Sequence, residues 1–171
     1  SSIDADITIK RLEKSLFEPD PAKLQANLPL LREEYGSFLQ LFSYVINAGD
    51  INDTIFPCIL MNFVTDKVNY GVYEKVIQLY PSMDPYEKEL EEAFRHYIYY
   101  FPERRVPSVV TCITGFNNSI ITGDSVLGIG LDRYLGRDSE YYPRLEIYGY
   151  MAARMNPYNI VPDCMYGWAS S

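Results

Sequence analysis

The stretch PSVVTCITGFNNSIITGDSVLGIGLDRYLG, residues 107–136, decides the fold class of this chain. Three short apolar and β-branched runs in it predict strands, at residues 109–116, 119–123 and 126–131. Asn117 and Asn118 separate the first two runs, and asparagine tolerates the positive φ angles of a tight hairpin turn. Residues 123–125 predict a second turn. We therefore expect a small antiparallel β-meander of about three to four strands.

Helical patterns surround this stretch. The strongest spans Pro85 to Phe101, where apolar residues recur every three or four positions along one face. Asp84 and Glu87 have the spacing of a capping box at the start of this helix, which leaves Glu87 on a polar, solvated face. Near the N-terminus, the segment Ile3–Ile9 alternates apolar and polar residues, which predicts a half-buried strand.

Together these patterns predict an α+β fold, with the meander packed against several α-helices. The length of 171 residues fits one domain, and no linker or repeat divides it. A last helical pattern begins near Pro162, shortly before the chain ends at Ser171. We therefore expect residues 1–171 to be the N-terminal part of a longer protein, with apolar faces open between Tyr158 and Trp168.

The charge balance narrows the classes of partner. The net charge is -8, and the lysines and arginines are scattered singly or in pairs. Nucleic acid binding needs a basic field, so we expect no nucleic acid partner. No apolar run approaches the roughly 20 residues that span a bilayer.

The sequence offers little catalytic chemistry. His96 is the one histidine, so a zinc peptidase motif of the H-E-x-x-H type is impossible within this chain. Cys58, Cys112 and Cys164 have no metal-binding spacing, and we interpret them as buried free thiols. Glycines 128 and 130 do not form a nucleotide motif and instead indicate close backbone packing. We predict no catalytic, cofactor-binding or metal-binding residues.

Two surface hypotheses remain open. Four acidic residues near the ends of the predicted strands could converge on a hard cation such as Ca²⁺, although their spacing matches no calcium loop: Asp124, Asp132, Asp138 and Glu140. The densest group of tyrosines lies beside them, at Tyr134, Tyr141, Tyr142, Tyr148 and Tyr150. We predict a partner or ligand surface from the following residues: Tyr134, Tyr141, Tyr142, Tyr148, Asp132 and Asp138. The alternative is that these tyrosines cover the sheet.

Several segments in a fixed order resemble one protein family. They are the helix and strands of residues 86–143, the segment NIVPDCM of residues 159–165, and the opening ITIKRLEKSLF of residues 7–17. The order of their short motifs, HYIYYFPE, VPSVVT, ITGDSVLGIGLDRYLG and YYP, is similar to the gliding-motility lipoprotein family named for GldB of Bacteroidetes.

The resemblance implies a cell-envelope lipoprotein on the periplasmic side, anchored by an N-terminal lipid that this chain does not contain. It also implies a further, mainly helical C-terminal half and partners among the motility or secretion components. The family has no established reaction. The layout also has a distant similarity to zincin-like peptidases, in which Asp163 and Gly167 would occupy the two histidine positions and the metal would be lost.

The leading hypothesis is a non-enzymatic, membrane-anchored domain that acts through protein contacts. The alternatives are a degenerate or incomplete peptidase-like hydrolase, completed by residues outside this chain, and a module that binds a glycan or small ligand. Homo-oligomers through the exposed C-terminal region are a further expectation.

Overall fold

A computed structural model describes residues 3–171 as one sheet surrounded by helices. The strands are β1 (Ile9–Arg11), β2 (Ser108–Cys112), β3 (Ile120–Thr122) and β4 (Val126–Gly130). The helices before the main sheet region are α1 (Leu12–Phe17), α2 (Leu24–Tyr35), α3 (Ser37–Val45), α4 (Phe56–Thr65), α5 (Lys67–Leu79) and α6 (Asp84–Tyr100). The helices after it are α7 (Tyr141–Arg144), α8 (Gly149–Ala152) and α9 (Ile160–Ala169). The predicted α+β class is confirmed.

The arrangement of the strands differs from the predicted meander. The spatial order is β1-β2-β4-β3, in which β1, β2 and β4 run parallel and β3 alone is antiparallel to its neighbour β4. The prediction of a hairpin at Asn117 and Asn118 is therefore wrong. Gly115 and Phe116 both have positive φ angles, +67° and +64°, so the chain turns before the two asparagines and passes to the far side of β4.

The central strand β4 has all five residues buried, as expected for a parallel strand that is covered on both faces. Its glycines allow close packing, as the sequence indicated. A Cβ atom on Gly128 would lie 2.5 Å from the ring of Phe38 in α3, and one on Gly130 would lie 2.0 Å from the carbonyl oxygen of Asn118.

Helices cover both faces of this sheet. The side chains of Ile121 and Phe38 meet at Gly128, so α3 lies over the face to which Ile121 points. Ile120, the preceding residue of β3, contacts Gly167 of α9. Neighbouring residues of a strand point to opposite faces, so α9 covers the face opposite to α3. Trp168 of α9 in turn packs edge-on against Phe94 of α6.

The N-terminal segment shows the predicted alternation in burial. Ala5, Ile7 and Ile9 are buried, whereas the intervening residues 4, 6 and 8 are exposed. Strand pairing begins only at Ile9, where β1 joins β2.

Helix α6 covers the free edge of this segment. The carboxylates of Glu87 and Glu91 accept hydrogen bonds from the backbone N–H groups of Ile9 and Ile7, at 2.8 and 3.0 Å. The predicted capping box is wrong, because the backbone N–H of Asp84 bonds to Ser82 and Glu87 faces the sheet edge instead. The two carboxylates satisfy edge N–H groups that would otherwise be open to another strand.

Candidate functional site

The structure divides the six residues of the predicted surface into two groups. Asp132, Tyr134 and Tyr142 are fully buried, so the prediction that they belong to a surface is wrong. Tyr141 is half-buried, and Asp138 and Tyr148 are exposed. The buried members hold in place the chain segment that carries the exposed ones.

The Asp132 carboxylate fixes the loop between β2 and β3. It accepts hydrogen bonds from the backbone N–H groups of Thr114, at 3.1 Å, and Phe116, at 2.6 Å. The Thr114 hydroxyl also contacts it, at 3.2 Å, and accepts bonds from the N–H groups of Asn117 and Asn118. These bonds hold the positive φ angle of Phe116, which is a conformation that bulky residues avoid.

Burial raises the pKa of the Asp132 carboxyl from its ordinary value of 3.8 to about 6, and the hydrogen bonds from Phe116 and Thr114 oppose that rise. The carboxyl is fully buried and is bound within the chain on both oxygens. It therefore acts as an anchor for backbone amides, because no substrate can reach it.

Tyr142 of α7 binds the turn of residues 132–135 that follows β4. Its hydroxyl donates to the backbone carbonyl of Asp132, at 3.1 Å, and accepts from the backbone N–H of Leu135, at 2.9 Å. Burial raises the pKa of the Tyr142 phenol, so the hydroxyl keeps the proton that it donates.

Two further tyrosine hydroxyls tie this segment to α5 and α9. The hydroxyl of Tyr80, which follows α5, donates to the backbone carbonyl of Tyr134. The Tyr134 hydroxyl donates to the Asp163 carboxylate of α9, at 2.7 Å, and Arg154 lies 3.4 Å from the other oxygen of that carboxylate. Sequence patterns did not indicate these partners, because Tyr80 and Asp163 lie 54 and 29 residues away from Tyr134.

A polar cleft of about 610 Å³ opens beside this supported segment. One wall is Lys75 of α5, and the other is the loop from Leu135 to Tyr141 with Asn156 behind it. Asn156 is buried and fixes the loop, because its side-chain oxygen accepts from the Arg137 N–H at 3.0 Å and its nitrogen donates to the Ala153 carbonyl at 2.8 Å.

A group of exposed apolar and aromatic residues lies further along the same segment. We call it the aromatic surface, and its members are Leu145, Tyr148, Tyr150, Met151 and Tyr158. Tyr150 also belongs to the dense tyrosine group of the sequence. Tyr158 and Tyr166 are exposed, as expected for the C-terminal region, but Trp168 is buried and the prediction is wrong for that residue.

The hypothesis of a cation site is wrong for the part of the chain that the structure describes. Asp132 is buried while Asp124, Asp138 and Glu140 are exposed, and no group of three or more His, Cys, Asp or Glu side chains within residues 3–171 could hold a metal ion.

The one histidine and the cysteines have separate environments. His96 is exposed and shares a shallow depression with Glu92 and Tyr158. Cys112 and Cys164 are buried free thiols, whereas Cys58 is exposed, contrary to expectation.

Comparison with known proteins gives the family. The family model for the gliding motility protein GldB matches residues 1–171, the whole chain. This chain belongs to the GldB family. No curated protein and no solved structure matches it.

Membership of the GldB family implies a lipoprotein associated with gliding motility. In residues 3–171, no helix has both the length and the apolar character to cross a membrane. The zincin-like layout stays a hypothesis. In this GldB-family chain, Asp163 and Gly167 stand at the two positions that would hold the metal. Asp163 accepts a hydrogen bond from Tyr134, and Gly167 packs against Ile120.

Proposed function

We propose that this GldB-family chain is a non-enzymatic domain that binds other proteins of the motility or secretion machinery through its aromatic surface. An N-terminal lipid holds the protein at the cell envelope, on the periplasmic side, and confines it to the membrane where its partners lie. The observation that carries this proposal is the exposure of the aromatic surface, which follows directly after the segment that the Tyr134 and Tyr142 hydroxyls hold in place.

The aromatic surface has the composition of a contact site. Tyr148, Tyr150 and Tyr158 are 60, 79 and 74% exposed, and Leu145 and Met151 are apolar residues of the same stretch that are 46 and 38% exposed. Tyrosine supplies a large contact area with few rotatable bonds, and tyrosines are frequent among the residues that dominate binding energy. Exposed apolar patches on soluble domains commonly mark such interfaces.

The environment of the reactive groups also supports a binding role. In the described residues, the groups with the largest pKa shifts are buried, and several of them make hydrogen bonds within the chain. Asp132 accepts from backbone amides, and the Tyr134 and Tyr142 hydroxyls hold chain segments together. Cys112 donates toward the Ile129 carbonyl at 3.7 Å, and burial raises the pKa of its thiol well above the ordinary value.

The test compares two sets of three tyrosines in the full-length lipoprotein. The variant Tyr148→Ala/Tyr150→Ala/Tyr158→Ala removes the aromatic surface. The control removes equally exposed tyrosines on other elements, which are Tyr44, Tyr99 and Tyr100 at 59, 70 and 71%. Both proteins are purified from the envelope with their partners under mild detergent, and the partners are quantified by mass spectrometry.

We expect the first variant to lose at least one envelope protein by about tenfold or more, because several interface tyrosines removed together cost more than 1.4 kcal/mol. The control should keep that protein. Equal recovery of all partners by both variants contradicts the proposal. Loss of only a second copy of the same chain assigns the surface to a homo-oligomer instead.

A further inference from the structure

The polar cleft formed by Lys75, the loop of residues 135–141 and Asn156 has features of a ligand site. Its volume of about 610 Å³ lies within the roughly 300–1,000 Å³ of small-molecule sites. Tyr141 contributes a half-buried aromatic ring to the cleft, and this ring packs against Phe116 with a centroid distance of 5.9 Å. The cleft therefore combines charged and polar side chains with a comparable apolar area, to which Tyr141 contributes an aromatic ring.

The backbone around the cleft is held from behind. Three hydrogen bonds fix the loop that forms its wall: from Leu135 N to the Tyr142 hydroxyl at 2.9 Å, from Gly136 N to the Met155 carbonyl at 2.9 Å, and from Arg137 N to the Asn156 side chain at 3.0 Å. A wall fixed in this way loses little conformational entropy when a ligand binds.

The charged side chains that line the cleft are free to bind. Within residues 3–171, Lys75, Arg137 and Asp138 make no side-chain hydrogen bond or ion pair. Glu140 has only a long contact of 3.7 Å with Arg144, and both side chains are 70% exposed, so that ion pair is weak.

The charges of the lining residues set the class of ligand. The lining contains two cationic residues, Lys75 and Arg137, and two anionic residues, Asp138 and Glu140, so it carries no net charge. A strongly charged ligand would meet two like charges. A neutral molecule with many hydroxyl groups can use all four, because carboxylates accept from hydroxyls and ammonium or guanidinium groups donate to them.

We propose that the polar cleft binds a short neutral oligosaccharide, with carboxylate and guanidinium groups holding pairs of sugar hydroxyls and Tyr141 packing against a sugar ring. This proposal is independent of the protein contacts of the aromatic surface. Tyr148 does not line the cleft, so the two activities can be separated by substitution.

The test uses the full chain and a panel of neutral trisaccharides, namely maltotriose, cellotriose, mannotriose and triacetylchitotriose, with titration calorimetry as the readout. We expect at least one to bind with a dissociation constant of about 1 mM or tighter. Asp138→Ala should weaken that binding about tenfold, since a charge-assisted hydrogen bond is lost. Asp124→Ala, an exposed acid outside the cleft, and Tyr148→Ala should leave it unchanged.

Circular dichroism checks that each variant is folded. We expect Asp138→Ala to fold normally, because Asp138 is exposed and its side chain makes no hydrogen bond or ion pair within residues 3–171. The proposal is overturned if no member of the panel binds, or if Asp138→Ala and Lys75→Ala bind as tightly as the unaltered chain. It is also overturned if an acidic trisaccharide or a peptide occupies the cleft more tightly than every neutral sugar.

Discussion

Replacing Tyr142 by phenylalanine tests the buried network that supports the site. The change removes one oxygen atom from a fully buried side chain and leaves the ring in place, so no cavity of consequence forms. It leaves the N–H of Leu135 and the carbonyl of Asp132 without their partner. An unsatisfied buried group costs about 1–3 kcal/mol and the change creates two of them, so we expect a loss of about 2–6 kcal/mol in the free energy of unfolding.

The assay is urea unfolding followed by circular dichroism, at neutral pH. The loss should lower the urea midpoint, while the slope of the free energy against urea should stay the same because the surface exposed on unfolding does not change. A thermal melt of the same proteins should show a Tm lower by about 4–24 °C for a chain of this size. The matched control is Tyr150→Phe, which removes a hydroxyl from a side chain 79% exposed and should change stability by less than about 0.5 kcal/mol. A loss of less than about 0.5 kcal/mol for Tyr142→Phe would refute the reasoning.

Three further predictions concern the fold. Burial raises the pKa of Asp132 from 3.8 to about 6, so the folded chain binds this proton more tightly than the unfolded chain and loses stability as the proton dissociates. Measured by urea titration, the stability of the unaltered chain relative to Asp132→Asn should fall by about 2 kcal/mol as the pH rises from 4 to 7, and a difference that does not change with pH counts against this reasoning. Glu91→Ala should speed hydrogen exchange of the Ile7 amide about tenfold, whereas Glu91→Gln keeps an acceptor and should restore protection. Equal exchange rates in the two variants would show that Glu91 does not protect the Ile7 N–H at the sheet edge. Gly130→Ala should cost about 3 kcal/mol or prevent folding, because the new Cβ would lie 2.0 Å from the Asn118 carbonyl oxygen; a stable variant with unchanged urea midpoint shows that the packing is looser.

Helix α6 and the alternating N-terminal segment were predictable, because the spacing of apolar residues along the chain determines which side of each is buried. The apolar face of α6 includes Leu90 and Phe94, which the structure buries completely, and the alternation from Ala5 to Ile9 matches the burial of that segment. Gly128 is close-packed for the reason that its position within a strand indicated.

The order of the strands was not predictable from local turns. Asn117 and Asn118 suit a hairpin, but the side chain of Asp132, which lies 16 residues after Phe116, binds the preceding amides and redirects the chain. Parallel pairing of β1 with β2 joins residues about 100 positions apart, as in Ile9 and Val109. No short-range signal encodes such a pair.

The sequence also did not show which tyrosines are buried and which are exposed. A phenol ring is apolar with one polar end, so its position depends on whether a partner for the hydroxyl exists inside the protein. Tyr134 and Tyr142 find such partners in Asp163 and in the backbone around Asp132, while Tyr148 remains exposed. Lys75, a wall of the cleft, reaches the site from another helix and carried no sequence signal.

The central claim is that the aromatic surface of this GldB-family domain contacts another envelope protein, and site-specific photocrosslinking in living cells tests it most directly. A photoreactive phenylalanine analogue replaces Tyr148 in one strain and Tyr44, similarly exposed on α3, in another. We predict a light-dependent adduct with one envelope protein from position 148 and not from position 44. Adducts that are the same at both positions, or no protein adduct from position 148, would contradict the claim.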